Sequence, residues 1–317
     1  MSYQEDRLTE IADAIRVKDG TTAPIKATDF AARILALPSG GGVEIDEYYY
    51  RVVQLTLITA DRLQYLDEAW ESRHQITVDA NGNVTGVTGT LNDIVIPKEA
   101  LRIPNTGYTS SPFYPHRDSV KSLTLPNGLR HIGNYAFQNC SSLTGSLIIP
   151  NSVTRIGTYA FYHCSGFTGD LIIPNSITSI GERAFQGCSG FTGSLTIPNS
   201  ITSISNAVFY GCSGFTGDLT IPNSITSIDN SVFRECSNLI RVVFEGQAPT
   251  LNSFTFYGCT AVLEYDFTNC TTVPTLSNEN AFRNINANCI MKVPAALEAA
   301  WKAATNWVTY ADYIVGV

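Results

Sequence analysis

Charge is scarce in this chain: only 15% of its 317 residues are Asp, Glu, Lys or Arg. Ser, Thr, Asn and Gly must therefore supply much of the polar surface. Acids outnumber bases 28 to 20, for a net charge of −8, so no basic face is expected for nucleic acid or an anionic membrane. No apolar run reaches the roughly 18 residues of a spanning helix, and membrane insertion is not expected. The start, MSYQEDRLTEIADAIR, is acidic and amphipathic, without the basic flank, apolar run and small-residue cleavage site of a secretory signal peptide. The expectation is a chain that begins soluble in the cell that makes it. It is then used there, leaves by lysis or in a particle, or has lost a leader.

Catalytic signatures are also missing. The chain has no G-x-S-x-G, no phosphate-cradling glycine loop and no H-E-x-x-H, so no catalytic residue and no cofactor are assigned. Eight cysteines include no C-x2-C pair, and the nearest spacing is eleven residues, from Cys259 to Cys270; no metal site follows. Of the four histidines, His131 and His163 fall on variable outer or turn positions, and His74 and His116 precede the regular repeats.

What the chain has is repetition. The 24 residues from Cys164, CSGFTGDLIIPNSITSIGERAFQG, are followed by CSGFTGSLTIPNSITSISNAVFYG, identical at 17 of the 24 positions. Prolines 126, 150, 174, 198 and 222 and cysteines 140, 164, 188, 212 and 236 keep the same 24-residue interval. Weaker copies extend the register from IVIP at Pro97 to RVVFE, EYDFT and MKVP, which end at Glu245, Thr268 and Pro294. The spacing predicts about nine turns of a solenoid.

Each turn accounts for its own residues. Leu171-Ile172-Ile173 reads as a short strand with Leu171 and Ile173 inward and Ile172 outward. Pro174 ends it, having no N–H to donate, and Asn175-Ser176 supplies the turn. Ile177 and Ile180 return to the core, Ala184 and Phe185 form the outer wall, and Gly187 and Gly190 permit the bends. One turn cannot bury its five apolar side chains alone; stacked copies can, at roughly 1.5–3 kcal/mol for each side chain. Equivalent cysteines stack about 4.8 Å apart with parallel side chains, a poor geometry for disulfides. They read as a ladder of buried thiols, suited to a reducing place of synthesis.

The segment IPNSITSIGERAF followed by Cys188 resembles the leucine-rich repeats of the BspA-like, treponemal class over residues 91–294, most specifically over 120–240. The unit here is one residue longer, at the Phe-Thr-Gly segment. The resemblance implies a leucine-rich-repeat solenoid: an α/β architecture with a stacked parallel sheet and an irregular outer face. The tail VPAALEAAWKAATNWVTYADYIVGV is similar to the closing segment of many such proteins. It reads as a C-terminal helical cap over 295–317, with Trp301, Trp307 and Tyr310 as its apolar plug.

Ahead of the 120–294 solenoid, residues 1–37 read as two short helices. Leu8, Ile11, Ala12 and Ile15 share one face; Phe30, Ile34 and Leu37 face inward on the other helix, with Thr28 as N-cap. This pair is too small to be stable alone and is expected to dock, as a homo-oligomer or onto another protein. Residues 38–42 (PSGGG) form a flexible linker. IADAIRVKDGTTAPIKATDFAARI resembles N-terminal helical segments of tail and other structural proteins of bacteriophages, which implies other virion proteins as partners of residues 1–37. Residues 43–119 read as an irregular cap unit. Tyr48-Tyr49-Tyr50 lies in a strand, a helix covers ADRLQYLDEAW, and a hairpin turns at Asn81-Gly82. Within this unit the loop at 103–119 breaks the 24-residue register by five and is expected to bulge, with Tyr108, Phe113 and Tyr114 as a candidate binding loop.

Duplicating a coil lengthens an exposed sheet without redesigning its core. On that face Thr124, Ile148, Ile172, Thr196, Thr220 and Val243 form one row beside Ser122, Ser146, Asp170, Ser194, Asp218 and Arg241. The surface is nearly uncharged and suits a protein or glycan. Asp170 and Asp218, two coils and about 9–10 Å apart, match the carboxylate gap of inverting glycosidases. An open face, however, has no walls to raise either pKa, and the spacing follows from duplication. The expectation is a non-enzymatic binding or adhesion protein recognising a cell-surface receptor. A phage tail-associated (virion) component leads; a bacterial cell-surface or secreted adhesin is the alternative, and a glycan-active enzyme the remaining class.

Overall fold

The computed structural model describes residues 75–89 and 91–317. The expected helices of 1–37, the 38–42 linker, the Tyr48–Tyr50 strand and the helix at 60–70 lie outside the described residues. The first element is an antiparallel hairpin, Gln75–Val78 with Val84–Thr88. It turns at Gly82, whose φ is +76°, and Asp79 Oδ1 accepts the backbone N–H groups of Asn81 and Asn83 at 2.9 Å.

From there the chain winds as a right-through stack of parallel rungs. Asp93–Val95 pairs with Ser122–Thr124 and Leu171–Ile172 with Leu195–Thr196. Gly217–Ile221, Leu239–Phe244, Glu264–Asp266, Ile290–Val293 and Ile314–Gly316 then form one continuous five-stranded sheet. The solenoid therefore starts at Asp93, inside the segment read as an irregular cap, and runs for about eight turns. Leu171 and Ile173 are buried and Ile172 is exposed, as strand alternation requires.

A second ladder runs beside the main sheet. Two-residue strands at Arg102–Ile103, His131–Ile132, Arg155–Ile156 and Ser179–Ile180 pair in parallel, and Ser203–Ile204, Ser227–Ile228 and Thr250–Leu251 continue the pattern. Each buries its second residue. The hydroxyls of Ser152, Ser176 and Ser200, in the Asn-Ser turns, donate to carbonyls of the preceding coil at 2.6–2.7 Å.

The outer wall is built from turns rather than helices, and six successive coils, from Tyr135 to Gly258, each place two residues there in the left-handed region. Arg183 (φ 54°) and Gly187 (φ 73°) occupy these positions in one coil, and Tyr159 (φ 56°) and His163 (φ 55°) in the coil before. A non-glycine residue there costs about 1–2 kcal/mol. The conformation turns each N–H onto the next coil: Tyr159 donates to Glu182 O at 3.0 Å and His163 to Gln186 O at 2.7 Å. Gly190 serves a different purpose. A Cβ there would meet Ser165 O at 2.1 Å and Phe167 O at 2.5 Å, so close approach of coils, not a bend, demands glycine.

Two long columns run through the interior. Phe113, Phe137, Phe161, Phe185, Phe209, Phe233, Phe256 and Phe282 stack with centroids 5.0–5.9 Å apart. Beside them all eight cysteines are free and buried. From Cys164 to Cys259, the successive ladder thiols each donate to a phenylalanine carbonyl of the preceding coil, at 3.0–3.2 Å. Burial pushes the Cys188 thiol up to about 12, so these groups are donors in the core, not nucleophiles.

The tail does more than cap. After a helix at Glu298–Ala303 and a 3-10 turn at Trp307–Tyr313, Ile314–Gly316 returns as a last strand beside Ile290–Val293. Trp301, Trp307 and Tyr310 are buried; Trp307 Nε1 donates to Pro274 O at 2.8 Å.

Candidate functional site

The twelve face residues lie on the solvent side of the main sheet: Ser122, Arg241 and Val243 are half-buried and the other nine exposed. Register pairing joins Ser122 with Asp93, Thr124 with Val95, Ile172 with Thr196, Asp218 with Arg241 and Thr220 with Val243. Ile148 is 75% exposed and Ile172 59%, values reached only because nothing covers this face among the described residues. An open groove of about 860 Å³ crosses it, lined in part by Ile148, Ile172, Asp170, Thr196, Asn151 and Asn175. The asparagines were read only as turn residues, yet their 24-residue spacing sets them in a row along the groove.

The ladder is interrupted at this groove. No backbone hydrogen bond joins Ser146–Ile149 to either neighbouring rung among the described residues. The long coils spend their additional residue just before the strand, on Gly145 (φ 77°), Gly169 (φ 79°) and Gly217 (φ 76°). Asp170 accepts Ser194 N–H at 2.6 Å and Ser194 Oγ–H at 2.9 Å. These bonds, the backbone one first, hold its carboxyl below the ordinary value, the opposite of what a general acid at neutral pH needs.

At the other end the face is charged, which corrects the expectation of a nearly uncharged surface. Arg241 Nε donates to Glu264 at 2.6 Å and its Nη2 to Asp266 at 2.6 Å. Asp218 lies 3.9 Å from the same guanidinium, and Lys292 Nζ is 2.8 Å from Glu264. Burial opposes ionisation of Glu264, but hydrogen bonds from Lys292 and Arg241, with their charges, outweigh it and lower its pKa. For Asp266 burial is likewise outweighed, by Thr268 hydrogen bonds and Arg241. Glu264, Asp266 and Lys292 continue the two face rows. They stand in the weaker copies EYDFT and MKVP, but the two rows were followed only as far as Arg241 and Val243.

The loop at 103–119 divides in two. Arg102 lies 29 residues before its partner His131, whereas Phe113 stacks on Phe137, 24 residues on, at 5.0 Å. The additional five residues thus fall between Ile103 and Phe113, and only that part bulges. Phe113 is fully buried and cannot contact a ligand: it starts the phenylalanine column, with Ser111 Oγ donating to Ala136 O at 2.5 Å. Tyr108 is 56% exposed and meets Tyr114 at 6.2 Å and Tyr135 at 6.4 Å. Tyr135 stacks on Tyr159 at 5.0 Å, and Tyr159 meets Tyr162 at 5.2 Å. This tyrosine row was missed, although Tyr135 and Tyr159 share the repeat interval.

A stack of parallel short strands with left-handed outer turns and phenylalanine and thiol columns defines a leucine-rich-repeat solenoid. The chain belongs to the BspA type leucine rich repeat region family, whose model matches six copies over residues 108–192 and 167–289, more than half of the chain. The chain is similar to the T. pallidum leucine rich repeat protein at 20% identity, covering 61% of this chain and 79% of that one, with a TM-score of 0.38. It is similar to a leucine rich cell surface protein from Faecalibacterium prausnitzii at 17% identity, covering 71% and 88%, TM-score 0.44. It is similar to the pneumococcal vaccine antigen PcpA at 14% identity, covering 76% and 82%, TM-score 0.38. No curated protein matches. Among the described residues no helix is long and apolar enough to cross a membrane.

Proposed function

We propose that this chain is a non-enzymatic binding protein that presents its main-sheet face to a protein or glycan receptor on a cell surface. The observation that carries the reading is the pair Ile148 and Ile172, bare at 75% and 59% in a groove also lined by Ser146, Asp170, Thr196, Asn151 and Asn175. Apolar groups rimmed by polar ones suit a partner's contact. Screening the full chain against glycan and protein arrays tests it: Ile148→Asp/Ile172→Asp should weaken any hit at least tenfold, with the ligand recovered uncleaved. Hits unaffected by that variant would reject the face, and turnover would return the enzyme class.

The carrier we propose is a virion, with residues 1–37 docking onto other virion proteins or further copies of the chain; its support is the sequence resemblance of that segment. The second reading, a bacterial surface or secreted adhesin, is favoured by the repeat family. Mass spectrometry of purified particles against the cell-wall and secreted fractions separates the two: the virion reading expects the chain in particles and falls if it is found only in the bacterial fractions.

A further inference from the structure

The second ladder carries a feature that the main-sheet reading does not use. Arg102, His131 and Arg155 sit in register on three successive parallel strands, and Arg130 adjoins them in sequence. The three arginines are exposed and His131 half-buried. Among the described residues none of these arginines has a carboxylate in ion-pair reach; Arg155 Nε instead donates to Ser179 Oγ at 3.2 Å. Burial, and after it the charges of Arg102, Arg155 and Arg130, lower the pKa of His131.

Further along, the same position is Ser179, Ser203, Ser227 and Thr250. The hydroxyl is the default of the repeat, and three consecutive coils depart from it, all with a basic residue. Like charges facing one another across strands are destabilising. The main sheet shows the compensated arrangement, with Arg241 set between Asp218 and Glu264; the second ladder leaves its cations without acids.

We propose that Arg102 and Arg155, with Arg130 next to the intervening His131, form a second binding site, for a carboxylate-bearing polysaccharide. Arg102 and Arg155, two rungs apart, stand about 10 Å from each other, and each guanidinium can grip a carboxylate through two parallel N–H groups. The hydroxyl column that continues from Ser179 to Thr250 offers partners to uncharged sugar units along the same line. A nucleic acid fits less well: the column carries no aromatic ring for base stacking.

The test uses the full chain and titrates polygalacturonate oligomers against neutral dextran at low and moderate salt. Polygalacturonate should bind and dextran should not, with affinity falling as salt rises. Arg102→Gln/Arg155→Ser should weaken binding at least tenfold. Ser at 155 is the repeat's own residue, so the variant should keep or raise the wild-type melting temperature as repulsion is removed. Ile172→Asp on the main sheet should leave polygalacturonate binding unchanged, which separates this site from the groove. Equal binding of the two polymers, unchanged affinity of the arginine variant, or tighter binding of poly-glutamate or single-stranded DNA would overturn the proposal.

Discussion

Between residues 146 and 196 the main-sheet face carries bare isoleucines over an interrupted ladder, whereas from 217 to 316 five strands pair without a gap. Across that second run Arg241 and Lys292 join Asp218, Glu264 and Asp266. Beneath both runs lie the same columns: phenylalanines stacked at 5.0–5.9 Å and thiols bonded to carbonyls at 3.0–3.2 Å. The difference teaches that core and face are separable in this solenoid. The columns, the second ladder and the left-handed outer turns hold each coil in place, so the main sheet is free to be open in one stretch and sewn shut in another.

Breaking the shared core should have the largest effect, and the same one in both stretches. Phe185→Ala and Phe256→Ala should each cost about 3–5 kcal/mol in urea unfolding. A much smaller cost at either would mean that the columns are not equivalent. Next comes the thiol ladder. Cys188→Ala leaves the Phe161 carbonyl without its donor, at a cost of about 1–3 kcal/mol, and Cys259→Ala does the same to Phe233. Native thiols should resist alkylation until the chain unfolds, because burial raises their pKa.

The charged stretch alone should respond to Arg241→Met, losing about 1–3 kcal/mol near neutral pH. The pH dependence has a fixed sign. Glu264 and Asp266 titrate below their ordinary values when folded, so their contribution is complete above about pH 5 and is lost as pH falls through about 4 and lower. Arg241→Met should flatten that acid limb in thermal melts; an unchanged limb would place the acid sensitivity elsewhere. The smallest effect belongs to the open stretch: Ile172→Thr, which copies Thr196, should shift stability by less than about 0.5 kcal/mol.

Much of the core was legible because its signal recurs. Leu171, Ile173, Ile177, Ile180, Phe185 and Cys188 are buried as the 24-residue pattern requires, and Ile172 faces out. The second ladder was not legible, since two residues such as Ser179-Ile180 carry no alternation to detect. Left-handed Tyr159 and Arg183 were equally hidden, because inter-coil hydrogen bonds, not residue type, stabilise their conformation. Glu264, Asp266 and Lys292 escaped for a third reason: their copies EYDFT and MKVP were aligned, but the face rows were followed only to Arg241 and Val243. Phe113 was misread with its loop because a five-residue insertion conceals that the regular coil resumes before it.

Amide hydrogen exchange resolved to single residues would test the separation of core from face most directly. The N–H groups of Leu147 and Ile148 should exchange much faster than those of Val242 and Val243 in the paired sheet, while Phe161 and Phe233, in the outer walls of the two stretches, are protected alike. Equal protection of Leu147, Ile148, Val242 and Val243 would contradict the account, for the main ladder would then be closed along its whole length.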